Sequence, residues 1–358
     1  MKIIQILPSL AYGDAIGNDV LALNDAIKEC GYDTEIYAEG IDSRLPQNTA
    51  RPILEFSDLA PEDILIYHLA IGWRYVDLIK KQDCKKIAIY HNVTPPNFYY
   101  GYNQVVYDAC KKGLEEVESL RNTFDYCLAD SEFNKEDLIR MGYTCKIDVL
   151  PILIAFDDYK KTPSKKIIDQ YADGNTNIIF VGRIVPNKKH EDVIAAFYYY
   201  KKYFNPGARL FLVGSYSEKE VYYNRLKNYI AELGLTDVYF SGHIKFEEML
   251  AYYKIADIFL CMSEHEGFCV PLVESMVFDV PIVAYDSSAI SYTLGKSGFL
   301  LKRKNSLEIA GVIDRIVDDK ELRQQLITGQ KERLTDFARE KIKTQFCNYL
   351  NTFIKNDK

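Results

Sequence analysis

The chain has 358 residues, of which 48% are apolar and 27% charged, a composition typical of a soluble globular protein with enough material for two cores. Its formal net charge of −7 argues against a nucleic-acid partner, because binding a phosphate backbone needs a cationic surface. No apolar run approaches the roughly 18 residues of a membrane span. Lys2 is followed by I-I-Q-I-L-P, which indicates a buried strand rather than a signal peptide. We therefore expect a cytoplasmic protein.

The first half alternates apolar strands with helical segments, the pattern of a parallel sheet covered on both faces. A helix is expected after the first strand, another at R-Y-V-D-L-I-K-K and a long one from about Asn103 to Phe124, and Ser131 or Asn134 would cap the helix that follows Y-C-L-A-D. The predicted strands are Lys2–Leu7, Thr34–Tyr37, Ile64–Leu69, Lys86–Tyr90, the Y-C-L-A-D segment and Ile147–Ile154.

The first loop reads P-S-L-A-Y-G-D-A-I-G-N-D and does not match the G-x-G-x-x-G dinucleotide motif. Gly13 and Gly17 would allow its backbone to approach a ligand closely. The alternative is a plain glycine-rich loop in which Asn18 or Asp19 caps the following helix. The residues alone leave both interpretations open.

The loop H-N-V-T-P-P-N-F-Y-Y-G-Y begins at His91, at the end of a predicted strand. Aromatic rings stack on sugars and amides such as that of Asn92 pair with hydroxyl groups, so the loop is typical of a carbohydrate site. A lone histidine is nevertheless more often structural than catalytic. Asp130 and Glu132 form a D-x-E further on, but acids near a helix start are common, and we expect no metal there.

A polar, irregular stretch from Phe156 to Thr176 predicts a connection between two domains, which we place at 1–155 and 170–337. Residues 1–155 hold 15 Lys and Arg against 24 Asp and Glu, whereas the remainder holds 29 against 27. The second domain is therefore less acidic, as an anionic ligand would require.

The second domain opens with N-I-I-F-V-G-R-I-V-P-N-K-K, a buried strand from Ile178 to Val181 followed by a turn at Gly182. Arg183 and Lys188 lie five positions apart in the loop before a helix. Two such cations can bind a diphosphate and stabilise its charge as it leaves.

The segment Asp257–Asp286 predicts a strand (Ile258–Met262), a polar turn with Glu266, a helix that opens at Pro271, and a second strand (Ile282–Tyr285). Ligands of parallel sheets bind beyond the carboxyl ends of the strands. The amides of Val270, Leu272 and Val273 would form an anion site at the helix start, with Glu274 in its first turn. Taken singly, both acids have an ordinary explanation, as a loop acid and as a carboxylate favoured by the helix dipole.

E-G-F-C-V-P-L-V-E resembles the E-G-F-G-L-P-x-x-E segment of the retaining, nucleotide-sugar-dependent glycosyltransferases with an E-x7-E motif (group 1, or family 4), and Gly182, Arg183, Pro186 and Lys188 match that family's G-R-x-x-P-x-K. The resemblance implies that Glu266 contacts the transferred sugar and Glu274 the ribose. The backbone of Phe268, Cys269 and Val270 would meet the diphosphate, with Cys269 in place of the usual glycine.

By the same resemblance, Gly242 and Ile244 would contact the nucleotide base, Gly13 the donor and His91 the donor sugar. We assign Asp14, Asn18 and Asn92 to the acceptor side. The implied fold is α/β with the GT-B architecture, in which two Rossmann-like, doubly wound domains face each other across a cleft. A C-terminal helix at about 338–358 would cross back to the first domain.

The sequence thus predicts a retaining, metal-independent glycosyltransferase that moves a hexosyl-type sugar from a nucleotide diphosphate donor to a saccharide or lipid-linked acceptor in surface polysaccharide or glycan synthesis. It needs no cofactor besides that co-substrate. A lipid-linked acceptor would bring it into peripheral contact with the inner face of the membrane. The alternatives are a sugar-nucleotide epimerase of the same fold and a non-catalytic nucleotide-sugar binding module.

Overall fold

The computed structural model describes residues 1–355 as strands that alternate with helices, as the apolar pattern predicts. The strands are β1 (Lys2–Leu10), β2 (Asp33–Ile41), β3 (Arg51–Pro52), β4 (Ile64–Leu69), β5 (Lys85–Tyr90), β6 (Tyr126–Ala129), β7 (Lys146–Val149), β8 (Asn177–Val181), β9 (Arg209–Val213), β10 (Val238–Phe240), β11 (Ile258–Cys261), β12 (Ile282–Tyr285) and β13 (Phe299–Leu301). The helices are α1 (Ala15–Glu29), α2 (Val76–Lys81), α3 (Gln104–Ser119), α4 (Glu132–Arg140), α5 (Lys165–Tyr171), α6 (His190–Tyr203), α7 (Val221–Glu232), α8 (Phe246–Ile255), α9 (Val270–Val277), α10 (Ile290–Leu294), α11 (Ser306–Asp318), α12 (Lys320–Leu334) and α13 (Arg339–Lys355).

The chain divides into two compact units. The first comprises Met1–Pro96, Val105–Phe156 and the chain from Phe337 on, and the second comprises Asn97–Gln104 and Asp157–Asp336. A parallel sheet of order β3-β2-β1-β4-β5-β6-β7 forms the first unit, and one of order β10-β9-β8-β11-β12-β13 forms the second. Both units are therefore doubly wound and Rossmann-like, which confirms the predicted fold class.

The C-terminal helix α13 packs in the core of the first unit. Ile342, Phe346 and Leu350 lie one turn apart and are 1% exposed each, in one cluster with residues of α1 and of the central strands. A disulfide between Cys30 and Cys347 joins the end of α1 to α13. Scattered cysteines with no C-x-x-C pair among them predict reduced thiols. That prediction is wrong at this pair, because chain folding brings together two residues that are 317 positions apart in sequence.

Three further expectations need correction. Helix α1 begins at Ala15 with Asp14 at its N-cap position, so Asn18 and Asp19 lie inside the helix and cap nothing. The predicted strand Ile147–Ile154 stops at Val149, because Pro151 has no N–H to donate to a ladder. The connection between the units contains a helix, α5.

By contrast, Ser131 caps α4 as predicted, since its hydroxyl accepts the amide of Asn134 at 3.2 Å. Within residues 1–355, no helix is long and apolar enough to cross a bilayer.

Candidate active site

The strand order of the second unit reverses between β8 and β11, which lie side by side. In doubly wound sheets this reversal opens a crevice at the carboxyl ends of the two strands, where ligands bind. Two loops leave the sheet at this edge. We call Gly182–Lys189, after β8, the cation loop, and Ser263–Cys269, after β11, the acid loop.

A buried ion pair joins the two loops. Lys188 Nζ lies 2.5 Å from each carboxylate oxygen of Glu266, and the two side chains are 18% and 7% exposed. Burial lowers the pKa of Lys188, but the attraction of Glu266 and nearby groups outweighs it, so the pKa lies above its ordinary value. The sequence prediction had placed these two residues at one site, and the structure brings them into contact.

Asn187 holds the two loops in register, and sequence reasoning missed this residue. Its carbonyl accepts the amide of Glu264 at 2.8 Å, and its side-chain amide donates to the carbonyl of His265 at 3.0 Å. Ser288, in the loop after β12, holds the acid loop from another segment, because its hydroxyl accepts the amide of Glu266 at 2.8 Å. The only sequence signal for Asn187 was its place between Pro186 and Lys188.

Arg183 differs from Lys188 in that its charge is available. Its side chain is exposed, and within residues 1–355 it makes no hydrogen bond or ion pair. The backbone beside it is tightly packed, since a Cβ on Gly214 at the end of β9 would lie 2.0 Å from the carbonyl oxygen of Gly182. Glycine at position 214 therefore lets the start of the cation loop lie directly against β9.

Helix α9 begins one residue before the predicted Pro271. Its N-cap residue Cys269 has a φ of 70°, in the left-handed region that the glycine of the resembled motif would occupy more easily. The amide of Leu272 donates to the carbonyl of Cys269 at 3.0 Å, so it is not one of the free amides we expected. Phe268 is buried, and its carbonyl accepts the hydroxyl of Thr293 at 2.5 Å.

Glu274 lies in the second turn of α9, not the first, and it is 7% exposed. One carboxylate oxygen accepts the hydroxyl of Tyr253 at 2.6 Å and the other accepts that of Tyr159 at 2.9 Å. Burial raises the pKa of Glu274, although the two phenols oppose this shift. The paired tyrosines 252 and 253 of a predicted helix favour a packing role in the sequence, so this contact of Tyr253 was not predicted.

The remaining predicted donor contacts lie further along the same edge. Gly242 and Ile244 are in the loop after β10, two strands from β8. Phe98, from the aromatic loop that begins at His91, belongs to the second unit and contacts the two site loops. Its ring centroid lies 6.2 Å from that of His265 and 5.9 Å from Lys189 Nζ.

In the first unit, His91 lies in a chain of buried polar side chains. His91 Nδ1 is 2.9 Å from an Asp130 oxygen, its Nε2 is 2.9 Å from His68 Nδ1, and His68 Nε2 is 2.9 Å from Gln5 Oε1. Asp130 outweighs burial and raises the pKa of His91, while burial and then the charge of His91 lower that of His68. Both ring nitrogens of His91 are therefore occupied, which leaves none for a sugar hydroxyl.

The predicted acceptor-side residues do not share one environment. Asn92 is buried and donates to the side chain of Asn134 at 2.9 Å, whereas Asp14 and Asn18 are exposed near the start of α1, as is Gly13, which we had assigned to the donor. Of the expected D-x-E pair, Asp130 faces His91 and Glu132 lies on the helix surface near Lys135.

Two groups of side chains bring metal-type donor atoms within 4.8 Å of one another in the described residues. In Asp19, His68 and His91, the two facing ring nitrogens already share a hydrogen bond, in rings only 5° from parallel. In Cys261, Glu266 and Cys269, the carboxylate is already bound by Lys188. Both groups satisfy their polar atoms with protein partners.

Comparison with known proteins places this site in a described family. Residues 164–333, which include both loops and α9, match the family described as glycosyl transferases group 1. The chain is similar to an MMP alpha-(1->4)-mannosyltransferase of Mycolicibacterium hassiacum, with 31% identity over 32% of this chain and 29% of that protein. It is also similar to the capsular polysaccharide biosynthesis glycosyltransferase CapM of Staphylococcus aureus, with 24% identity over 51% and 48%.

The chain thus spans less than half the length of both relatives. Among solved structures, HepE of Anabaena in complex with UDP-glucose matches 98% of this chain and 100% of its own, with a TM-score of 0.75 and 18% identity. This likeness extends over both units and agrees with the GT-B fold class.

Proposed function

Residues 164–333 match the glycosyl transferases group 1, and from this premise we propose that the chain transfers a sugar from a nucleoside diphosphate donor with retention at the anomeric carbon. The donor class is supported by HepE, which has a similar fold and was solved with UDP-glucose. We propose a hexosyl-type donor sugar and a saccharide or lipid-linked acceptor in polysaccharide or glycan synthesis. A lipid-linked acceptor would place the enzyme at the inner face of the membrane, in the cytoplasm.

One observation carries the proposal: the free cation Arg183 and the ion pair Lys188–Glu266 lie in two adjoining loops at the strand reversal of the second unit. We assign Arg183 and Lys188 to the diphosphate, whose negative charge grows as the bond to the sugar breaks. We assign Glu266 to the sugar, since its carboxylate is oriented by Lys188 and can accept hydroxyl groups. Arg183, whose charge is not paired with an acid of the site, supplies positive charge that a divalent metal would otherwise provide, and we propose that no metal is required.

The test is transfer from a panel of nucleoside diphosphate sugars, assayed with and without a chelator, with the anomeric configuration of the product read by NMR. We expect Arg183→Ala and Glu266→Gln to reduce kcat by about 10²- to 10³-fold, as removal of an oriented electrostatic group does. Lys189→Gln is the matched control. It removes a positive charge from the same loop, but that charge pairs with Glu264 and Glu191 at the rim of the site.

Three outcomes would contradict the proposal. Isomerised donor in the absence of acceptor would indicate an epimerase. Donor binding without turnover on any acceptor would indicate a binding module. An inverted product would refute retention while leaving the transferase assignment in place.

A further inference from the structure

We propose that Tyr253 and Tyr159 are positioning residues that orient Glu274 for a nucleoside with an intact ribose cis-diol, and so make the site selective against deoxyribonucleoside diphosphates. The inference rests on the proposed function, which assigns Glu274 to the donor. It adds two residues from outside the family motif and a specificity that the motif alone does not specify.

The two phenols reach one carboxylate from separate segments of the second unit. Tyr253 lies near the end of α8, and Tyr159 lies in a 3-10 turn, Phe156–Lys160, in the connection between the units. Each hydroxyl donates to a different oxygen of Glu274, that of Tyr253 at 2.6 Å and that of Tyr159 at 2.9 Å. The carboxylate is therefore fixed at both oxygens, so that it cannot turn without breaking a hydrogen bond.

The aromatic rings are themselves held in place. The ring of Tyr253 stacks on that of Phe278, with centroids 5.3 Å apart and planes 7° from parallel. The ring of Tyr159 packs edge-on against Phe278, with centroids 6.2 Å apart, and is tilted against Phe246, with centroids 5.7 Å apart. Because rigid neighbours hold both donors, the direction of the remaining lone pairs of Glu274 is set before a ligand arrives.

The number of acceptor positions explains the expected selectivity. An ionised carboxylate has about four lone-pair positions on its two oxygens. The tyrosines use one on each oxygen, which leaves one on each. Two adjacent acceptors match the two adjacent hydroxyl donors of ribose. A deoxyribose would leave one carboxylate acceptor of Glu274 desolvated and unpaired, which costs more binding free energy than a missing contact at an open surface.

The protonation states support this arrangement. Burial, followed by the charge of Glu274, raises the pKa of both Tyr253 and Tyr159, so that both remain hydrogen-bond donors. Burial raises the pKa of Glu274, and the two phenols counteract it. Loss of either hydroxyl would release one oxygen and also favour the protonated acid, which is a poorer acceptor.

The experiment measures calorimetric affinity for UDP, GDP and their 2′-deoxy and 3′-deoxy forms. We expect the wild-type protein to bind a ribonucleotide at least about tenfold more tightly than either deoxy form, which corresponds to one lost hydrogen bond to a charged acceptor. In Tyr253→Phe and Tyr159→Phe we expect the ratio of ribonucleotide to deoxynucleotide affinity to fall about tenfold, mainly through weaker binding of the ribonucleotide.

Tyr252→Phe is the matched control, because Tyr252 is adjacent on α8, is also buried and packs on Phe211, but makes no hydrogen bond to Glu274. We expect its ratio to equal that of the wild type. Thermal denaturation of all three variants separates stability from selectivity. A purely structural role would lower the melting temperature and weaken ribonucleotides and deoxynucleotides by the same factor.

The outcomes distinguish this inference from the proposed function. An unchanged ribo-to-deoxy ratio in both phenylalanine variants, with nucleotide binding intact, overturns the roles of Tyr253 and Tyr159 and leaves the transferase proposal standing. Absence of binding for every nucleotide overturns both. A wild-type protein that binds ribonucleotides and deoxynucleotides equally also refutes the inference, whatever its turnover.

Discussion

The carboxyl edges of the two sheets carry polar side chains in opposite states. In the first unit, Gln5, His68, His91 and Asp130 are buried and hydrogen-bonded in series. In the second unit, the corresponding edge carries the Lys188–Glu266 pair beside Arg183, whose side chain is exposed and has no partner among the described residues. The same kind of sheet edge thus bonds its polar side chains largely to one another in one unit and keeps an exposed charge in the other.

This difference shows which of two similar sequence signals is more informative. His91 and Arg183 both follow a buried strand, and both matched positions of a known family. Only Arg183 keeps a charge that an anionic ligand can neutralise, because every hydrogen-bonding atom of the His91 ring has a protein partner. A polar residue at a sheet edge is therefore a stronger functional candidate when the fold leaves it without a partner.

The sharpest test of this contrast compares Lys188→Ala with Arg183→Ala. Both variants should lose activity, but only Lys188→Ala should also lose stability, by about 3 to 5 kcal/mol, because it leaves Glu266 buried without its partner. Urea denaturation measures the stability difference and initial rates measure the activity.

The double variant Lys188→Ala with Glu266→Ala serves as the control, since it removes the unpaired charge and should recover part of the lost stability. Equal stability of the two single variants would show that the ion pair is not desolvated. A large loss of stability in Arg183→Ala would show that its guanidinium has a structural partner after all.

The sequence predicted most strands of both sheets, though not the short β3 and β13, and the meeting of the cation and acid loops, because apolar periodicity and spaced motifs are local signals. It did not predict Tyr159 and Tyr253 on Glu274 or Asn187 between the loops, since those contacts join segments far apart in sequence. The loop from His91 was predicted as one carbohydrate site. The structure divides it, with His91 in the core of the first unit and Phe98 in the second, a distribution that depends on the tertiary fold.

Buried ionisable groups extend the comparison to pH, and Asp19 of the first unit and His190 of the second affect stability with opposite signs. In the first unit, burial raises the pKa of Asp19 to about 7, while its carboxylate accepts the amide of Leu153 at 2.7 Å. In the unfolded chain its pKa is about 3.9. The folded state therefore holds the proton more tightly, and the resulting stability is present below pH 4 and lost as pH rises to 7.

Asp19→Asn should consequently stabilise the protein above pH 7, by on the order of 4 kcal/mol at most, with no difference below about pH 4. Denaturant titrations between pH 4 and 8 measure this. Asp25→Asn on the same helix is the control, because Asp25 is exposed and should show no such trend. An equal pH profile for wild type and Asp19→Asn would mean that water reaches Asp19.

In the second unit, His190 affects the pH dependence of stability with the opposite sign and a smaller magnitude. His190 is fully buried at the start of α6, and burial, followed by the charge of Lys188, lowers its pKa to about 3. The unfolded chain takes up this proton near pH 6.5. Stability is therefore present above that value and lost as pH falls towards 3, by about 2 kcal/mol at pH 5.

His190→Leu should remove this part of the acid sensitivity, whereas replacement of the exposed His243 by Gln should not. The stability of His190→Leu will still fall with pH to the extent that His68 contributes from the first unit, since burial also lowers the pKa of the His68 ring. If His190→Leu is as sensitive to acid as the wild type, the imidazole takes up its proton within the folded protein, and the interior behind Lys188 is more polar than its packing indicates.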